Sequence, residues 1–354
     1  MSLRWSLPLL LGGLAGDNPQ AENCAPPARY AAAGCDILTA SDVRETARVR
    51  GAAGGRPVAG CLYPITDEGE AQERLRTYGR QADELAGEGV DLLLCVGMPN
   101  LAQARLALMG ARRTHLPVFI TLEFADDRPG DDDRPALLPA VITLQAMGAA
   151  AVGLSGPMPP KKMAAWIADA LPYAAVPLIV MADAAQPDGT ALSPSRYAQV
   201  LEPLLDAGAS ILGGGRGAAP EHLAVLRGIM DRHPTVASPE IDTDAAASER
   251  EAFFLLDDFD PSEPLECDSG LADDLIGLEG CNIARVRIGA PEDIERFLEA
   301  APVSALPLAV CADSAALLDE TLMRYPGRLL VDSLGGIERT LIDDIAAQYG
   351  AVVF

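Results

Sequence analysis

The feature that most constrains this chain is a recurrence. Short apolar runs return along it, each closed by Gly, Ser, Asp or Pro, with a helix-like segment between one run and the next. The runs are LPLLLGG (7–13), CDILTAS (35–41), PVAGCLYP (57–64), DLLLCVG (91–97), PVFITLEF (117–124), AAVGLSG (150–156), VPLIVMA (176–182) and ASILGGG (209–215). They are apolar without alternation, the pattern of strands buried on both faces, as in a parallel sheet. Four of the segments between them, 77–90, 102–114, 135–148 and 194–208, carry apolar residues at helical spacing. The last opens with Ser193-Pro194, an N-cap followed by proline in the first turn. Eight such units within about 230 residues predict an α/β chain built as a (β/α)8 TIM barrel. An open doubly wound sheet rarely needs eight units so even.

After Met230 the pattern loosens. Residues 233–263 are rich in Pro, Ser, Asp and Glu and read as a linker. A second alternation follows: IARVRIG (283–289), PEDIERFLEAA (291–301), PLAVCAD (307–313), SAALLDETLMRY (314–325), RLLVDS (328–333), IERTLIDDIAAQYG (337–350) and AVVF (351–354). It has too few strands to close, so a small C-terminal α/β parallel-sheet appendage is expected. The expected organisation is a barrel over 1–232, a linker over 233–263 and the appended segment over 264–354. The chain stops on a strand-like run, as a shortened form of a longer ancestor would.

Charge excludes some functions. With 27 basic and 51 acidic residues the net charge is −24, which repels nucleic acid and anionic membranes. No apolar run reaches the roughly 20 residues of a membrane span. The N-terminal MSLRWSLPLLLGGLAG could pass for a secretory signal, but it is short, broken by glycine and lacks a clear cleavage site, so 7–11 reads as a first buried strand. The seven cysteines (Cys24, Cys35, Cys61, Cys95, Cys267, Cys281 and Cys311) show no CxxC spacing. They read as buried small hydrophobes in a reducing cytoplasm.

In such a barrel the site lies at the C-terminal ends of the strands. That rule selects Asp17, Ser41, Glu123, Ser155, Asp183 and Arg216 as pocket candidates, with Tyr63 and Val96–Met98 nearby. The loop GGGRGAAPEH, 213–222, reads first as an anion cradle, with backbone amides at a helix start and an arginine beside them.

The same loop resembles the zinc loop of the homocysteine S-methyltransferase family, GGCCGT-x-PEH. GGLAGDNPQ (12–20) is similar to the family's opening DGAMGTNLQ, and RYAAAGCDILTAS (29–41) to its Y-x-x-AGAD-I-x-TNT. YGRQADELAGEGVDLLL (78–94), AVGLSG (151–156) and PLIVMADAAQP (177–187) follow in the expected order. The resemblance implies a barrel, methyl transfer to a thiol, and a zinc ion on three cysteines, one ending strand six and two ending strand eight. In this chain those positions read Gly156, Gly215 and Arg216, none of them a metal ligand. The family's strand-four Glu aligns with Val96, its opening Asp with Gly12, and the Asn of its NAG segment with Asp183. No zinc and no other cofactor is therefore expected.

Three functions stay open at this point. One is a methyltransferase-like pseudoenzyme that binds a small molecule or a protein partner. Another is an active methyltransferase using a zinc-free route. The third is a barrel that binds an anion or phosphate through Arg216 and the Gly213–Gly217 loop. Arg216 itself either pairs with Asp183 and Glu123, plugging the metal site, or stands solvated at the rim. His222 is expected to support the helix start. PLAVCADSAALLDETLMRYPGRLLVDS (307–333) is similar to the first strands of the pterin-binding barrel of cobalamin-dependent methionine synthase, with Asp332 in place of an Asn; a structural remnant is expected there.

Overall fold

All eight apolar runs form strands, and a helix follows each. In this computed structural model the described residues are 7–12, 25–67, 69–124, 137–234, 244–255, 259–333 and 336–354. Along the chain lie β1 (Leu9–Leu11), α1 (Pro27–Ala32), β2 (Leu38–Ala40), α2 (Val43–Ala52), β3 (Val58–Leu62), α3 (Ala71–Gly87), β4 (Leu92–Met98) and α4 (Leu101–Arg112). Then come β5 (Val118–Leu122), α5 (Leu137–Ala146), β6 (Ala151–Gly156), α6 (Pro160–Ala170), β7 (Leu178–Ala182), α7 (Pro194–Asp206), β8 (Ala209–Gly214) and α8 (Pro220–Met230). The helix expected from residue 77 starts earlier, at Ala71, because its first turns, AQERLR, are polar and hide the period.

The eight strands are parallel and pair in chain order, with β1 returning to β8. Closure between β1 and β2 rests on the bridge Leu11–Ile37 and on the Gly12 N–H, which donates to the Ile37 carbonyl at 2.8 Å. The barrel is therefore a TIM barrel, its seam held by few bonds. Alternate residues fill the interior: Leu9 and Leu11, Ile37, Ala59 and Cys61, Leu92, Leu94 and Val96, Phe119, Ala151, Ile179 and Met181, and Ile211 form one buried cluster. The residues between them, such as Leu10, Leu93, Ile120, Val152 and Val180, are buried as well. A strand covered on both faces has no polar side to show, which explains the unbroken apolar runs.

Two compact units divide the chain, one of Met1–Leu137 and Ala149–Glu240, the other of Leu138–Gly148 and Ile241–Phe354. Most of α5 thus groups with the second unit, where Ile142 packs with Ala245 and Ala247. The span expected as a linker contains an antiparallel hairpin, β9 (Ala245–Ala247) and β10 (Ala252–Phe254). Its alanine-rich first strand carries no strand signal, so composition alone could not reveal it. The rest of this unit is β11 (Leu265–Glu266), α9 (Leu271–Gly277), β12 (Ala284–Ile288), α10 (Pro291–Ala300), β13 (Leu308–Ala312), α11 (Ala315–Arg324), β14 (Leu330–Val331), α12 (Arg339–Tyr349) and β15 (Val352–Val353). The five strands β11 to β15 make a parallel sheet in chain order, as expected of the appendage. Ala246 and Phe253 of the hairpin pack on Ile283, Ala309, Leu330 and Val352. Asp332 is buried and takes an ion pair from Arg285 at 2.7 Å.

Candidate functional site

The ends of β5 to β8 converge on one guanidinium. Arg216 follows β8, and its Nε–H donates to Asp183 Oδ2 at 2.8 Å while its Nη2 donates to Glu123 Oε1, also at 2.8 Å. Its backbone N–H donates to the other oxygen of Asp183, Oδ1, at 2.8 Å. The Arg216 carbonyl in turn accepts the N–H groups of Ala184 and Ala185 at 2.8 and 2.9 Å. The residue is thus clamped through backbone and side chain to the loop after β7. Of the two arrangements open to Arg216, the paired one is formed.

The glycines of GGGRG are explained by this clamp. A Cβ on Gly215 would lie 2.5 Å from Asp183 Oδ1 and 2.7 Å from the Ala182 carbonyl oxygen. Gly217 has φ +77°, and a Cβ there would sit 2.8 Å from the Ala185 nitrogen. The anion that the loop receives is therefore the chain's own Asp183 carboxylate, whose side chain is only 5% exposed. A buried carboxylate needs such partners. Burial pulls the Arg216 pKa down, yet the hydrogen bond and charge of Asp183, then the charge of Glu123, leave it above its ordinary value.

Glu123 is the outer member, about one-third exposed. It lies across Gly156, which ends β6 at φ +97°; a Cβ on Gly156 would meet Glu123 Cγ and Cδ at 2.6 Å. Glu123 also approaches Gly97, in the bulged end of β4, where a Cβ would be 3.3 Å from Oε2 and 3.8 Å from Ser155 Oγ. That Ser155 hydroxyl is buried and has no hydrogen-bond partner.

Of the sequence candidates, the structure brings together Glu123, Asp183 and Arg216, with Gly156 and Gly215 beneath them and Ser155 alongside. Ser41 belongs to a different group. Its N–H donates to Glu45 Oε2 at 3.3 Å. Burial pushes the Cys61 thiol up to about 12. Val96 faces the interior cluster and Cys95 does not, as strand alternation requires. Asp17 lies outside the described residues. Among the described residues no group of three or more His, Cys, Asp or Glu side chains could hold a metal ion.

His222 takes the structural role expected of it. Its Nδ1 accepts the Ala219 N–H at 3.1 Å at the start of α8, and its Nε2 lies 2.6 Å from the Leu192 carbonyl oxygen. An N–H must donate to the first nitrogen and a carbonyl must accept from the second, so the ring is the neutral Nε2–H tautomer. Tyr197 of α7 stacks edge-on against it, ring centroids 5.4 Å apart, and donates its hydroxyl to the Ala182 carbonyl at 2.8 Å. Tyr197 was not a sequence candidate; its position one turn into a Ser-Pro-capped helix gave no chemical signal.

Fold and site together define a (β/α)8 barrel with an arginine–dicarboxylate cluster at the C-terminal ends of its strands. The chain belongs to the homocysteine S-methyltransferase family, whose model matches residues 24–230. Among solved structures it is similar to the Escherichia coli homocysteine methyltransferase MmuM. The apo form is 18% identical over 62% of this chain and 95% of that one, with a TM-score of 0.49. The metallated form is 17% identical with the same coverage and a TM-score of 0.48. A type I 3-dehydroquinate dehydratase from Clostridium difficile is 14% identical over 64% of this chain and 92% of that one, with a TM-score of 0.43. No curated protein matches the chain.

Proposed function

We propose that this chain is a family barrel that has given up the zinc-dependent form of methyl transfer to a thiol. One observation carries the reading. In the frame where the resemblance expects three thiolates, Arg216 spans Asp183 and Glu123, and Gly156 and Gly215 are packed against those same carboxylates. Zinc in a thiolate site needs sulfur ligands and a position open to the substrate. The residues present offer oxygens and a fixed cation instead, so they do not fit that ion. A thiol with an ordinary pKa of roughly 8.5 then stays mostly protonated at neutral pH, and the thiolate is the nucleophile.

The anion-binding reading is disfavoured by the same geometry, because the Arg216 amide and guanidinium are already engaged by Asp183. For the second unit we propose a structural role, supported by the internal pairing of its buried charges, Arg285 with Asp332. A reducing compartment such as the cytoplasm fits the free Cys35, Cys61, Cys95 and Cys267. Among the described residues no helix is long and apolar enough to cross a membrane.

The test is calorimetric titration of the purified protein with L-homocysteine, zinc being supplied in the buffer, together with its metal content. Absence of both zinc and binding heat is the expected result. Saturable, zinc-dependent binding would overturn the reading, and methyl transfer without zinc would replace it with a zinc-free enzyme.

A further inference from the structure

The mouth holds more than an absence of thiols. It holds two carboxylates, one of them nearly sealed from solvent, with one cation between them. Removing the cation would leave Asp183 buried and facing Glu123, a like-charge arrangement that costs far more than the pair contributes when intact. The buried Ser155 hydroxyl lies toward Gly97, on the side of Glu123 Oε2, and makes no hydrogen bond to the guanidinium. All the donors are hard oxygens, the set that favours Mg2+, Mn2+ or Ca2+ over thiolate-held zinc.

We propose that Glu123 and Asp183 form an oxygen-donor cation nest whose resident cation is the chain's own Arg216, so that carboxylates, and not only missing cysteines, keep thiolate-bound zinc out. This rests on the family reading for the position of the metal. The nest itself does not.

Two consequences separate the nest from a rim salt bridge. First, charge and not shape sets the cost of losing Arg216. Arg216→Met keeps the alkyl stem but leaves Glu123 without its cation and the buried Asp183 with only the backbone N–H. It should lower Tm by roughly 3–8 °C, discounted for the partial exposure of the site. Neutralising the partners as well, in Glu123→Gln/Asp183→Asn/Arg216→Met, should restore more than half of that loss. Second, Arg216→Gly should gain saturable Mn2+ binding, read by electron paramagnetic resonance and by a rise in Tm with Mn2+, which the wild type lacks. Returning the cysteines as Gly156→Cys/Gly215→Cys/Arg216→Cys should give no stoichiometric zinc, read by competition with a chromogenic chelator, because Glu123 and Asp183 occupy the space their Cβ atoms need.

The proposal is overturned if Arg216→Met is as stable as wild type, or if the triple neutral variant is no more stable than Arg216→Met or does not fold. It is equally overturned if Arg216→Gly takes up no Mn2+, or if the three-cysteine variant binds zinc one to one. These readouts do not depend on homocysteine, so a wild type that bound homocysteine would end the functional reading while leaving the nest to be judged by its own data.

Discussion

Asp183 and Arg216 are joined twice. Backbone N–H meets Oδ1 and Nε–H meets Oδ2, both at 2.8 Å. One bond fixes the loop after β8 and the other aims the guanidinium, so a single carboxylate sets backbone and side chain together. Charge-assisted bonds of this kind are roughly twice as strong as neutral ones.

The first prediction is therefore a contrast between the two carboxylates. Asp183→Ala removes both bonds at a buried position and should cost about 2–4 kcal/mol in urea unfolding. Glu123→Ala removes one bond from a partly exposed group and should cost under about 1 kcal/mol. Equal costs would show that the double attachment does not organise the mouth.

His222→Ala should destabilise by about 1–2 kcal/mol, because it deprives the Ala219 N–H of a cap and the Leu192 carbonyl of a buried donor. Hydrogen exchange localises the effect. The first turn of α8 and the segment near Leu192 should lose protection together. Loss confined to α8 alone would mean that His222 does not tie the two segments.

The barrel was legible because a both-faces-buried strand must be apolar throughout, and LPLLLGG through ASILGGG could do little else in a parallel sheet. The pairing of Arg216 with Asp183 and Glu123 was legible as one of two options, since strand ends converge and a buried arginine demands acid. The hairpin at 245–254 was not, because three alanines followed by SER carry neither alternation nor a turn signal. Nor was the grouping of most of α5 with the second unit: its sequence is apolar on nearly every side, and a helix without a polar face does not announce its neighbours.

Two glycines give a clean pair of opposite outcomes. A Cβ on Gly153 would lie 1.8 Å from the carbonyl oxygen of Ile179, its partner across β6 and β7. Gly153→Ala should cost at least roughly 3 kcal/mol or prevent folding. Gly51 lies in α2 with nothing within 4 Å of an added Cβ. Gly51→Ala should stabilise by about 0.5 kcal/mol, because it removes glycine's backbone entropy from the last turn of a helix. Urea unfolding of the two variants checks both, and a destabilised Gly51→Ala would mean that the end of α2 does not hold its helical conformation.

The last prediction concerns alkaline pH. Burial raises the thiol of Cys35 to about 12, with Asp36 adding to it, against an ordinary value of 9.0. Burial does the same to Cys61, where the nearby Tyr63 hydroxyl opposes it, and to Cys267, where Asp293 adds to it, again to about 12 from 9.0. A raised thiol pKa means that the folded chain keeps a proton the unfolded chain gives up. Stability from these groups is thus complete below 9.0 and falls as pH climbs from there toward about 12. Each thiol contributes a slope of about 1.4 kcal/mol per pH unit within that window. Urea midpoints should hold level between about pH 7.5 and 8.5 and drop between about pH 9.5 and 10.5. Cys61→Ala, less stable at neutral pH for the cavity it leaves, should show a shallower alkaline slope than the parent chain. An unchanged slope in that variant would mean that the Cys61 thiolate is no harder to form inside the barrel than outside it.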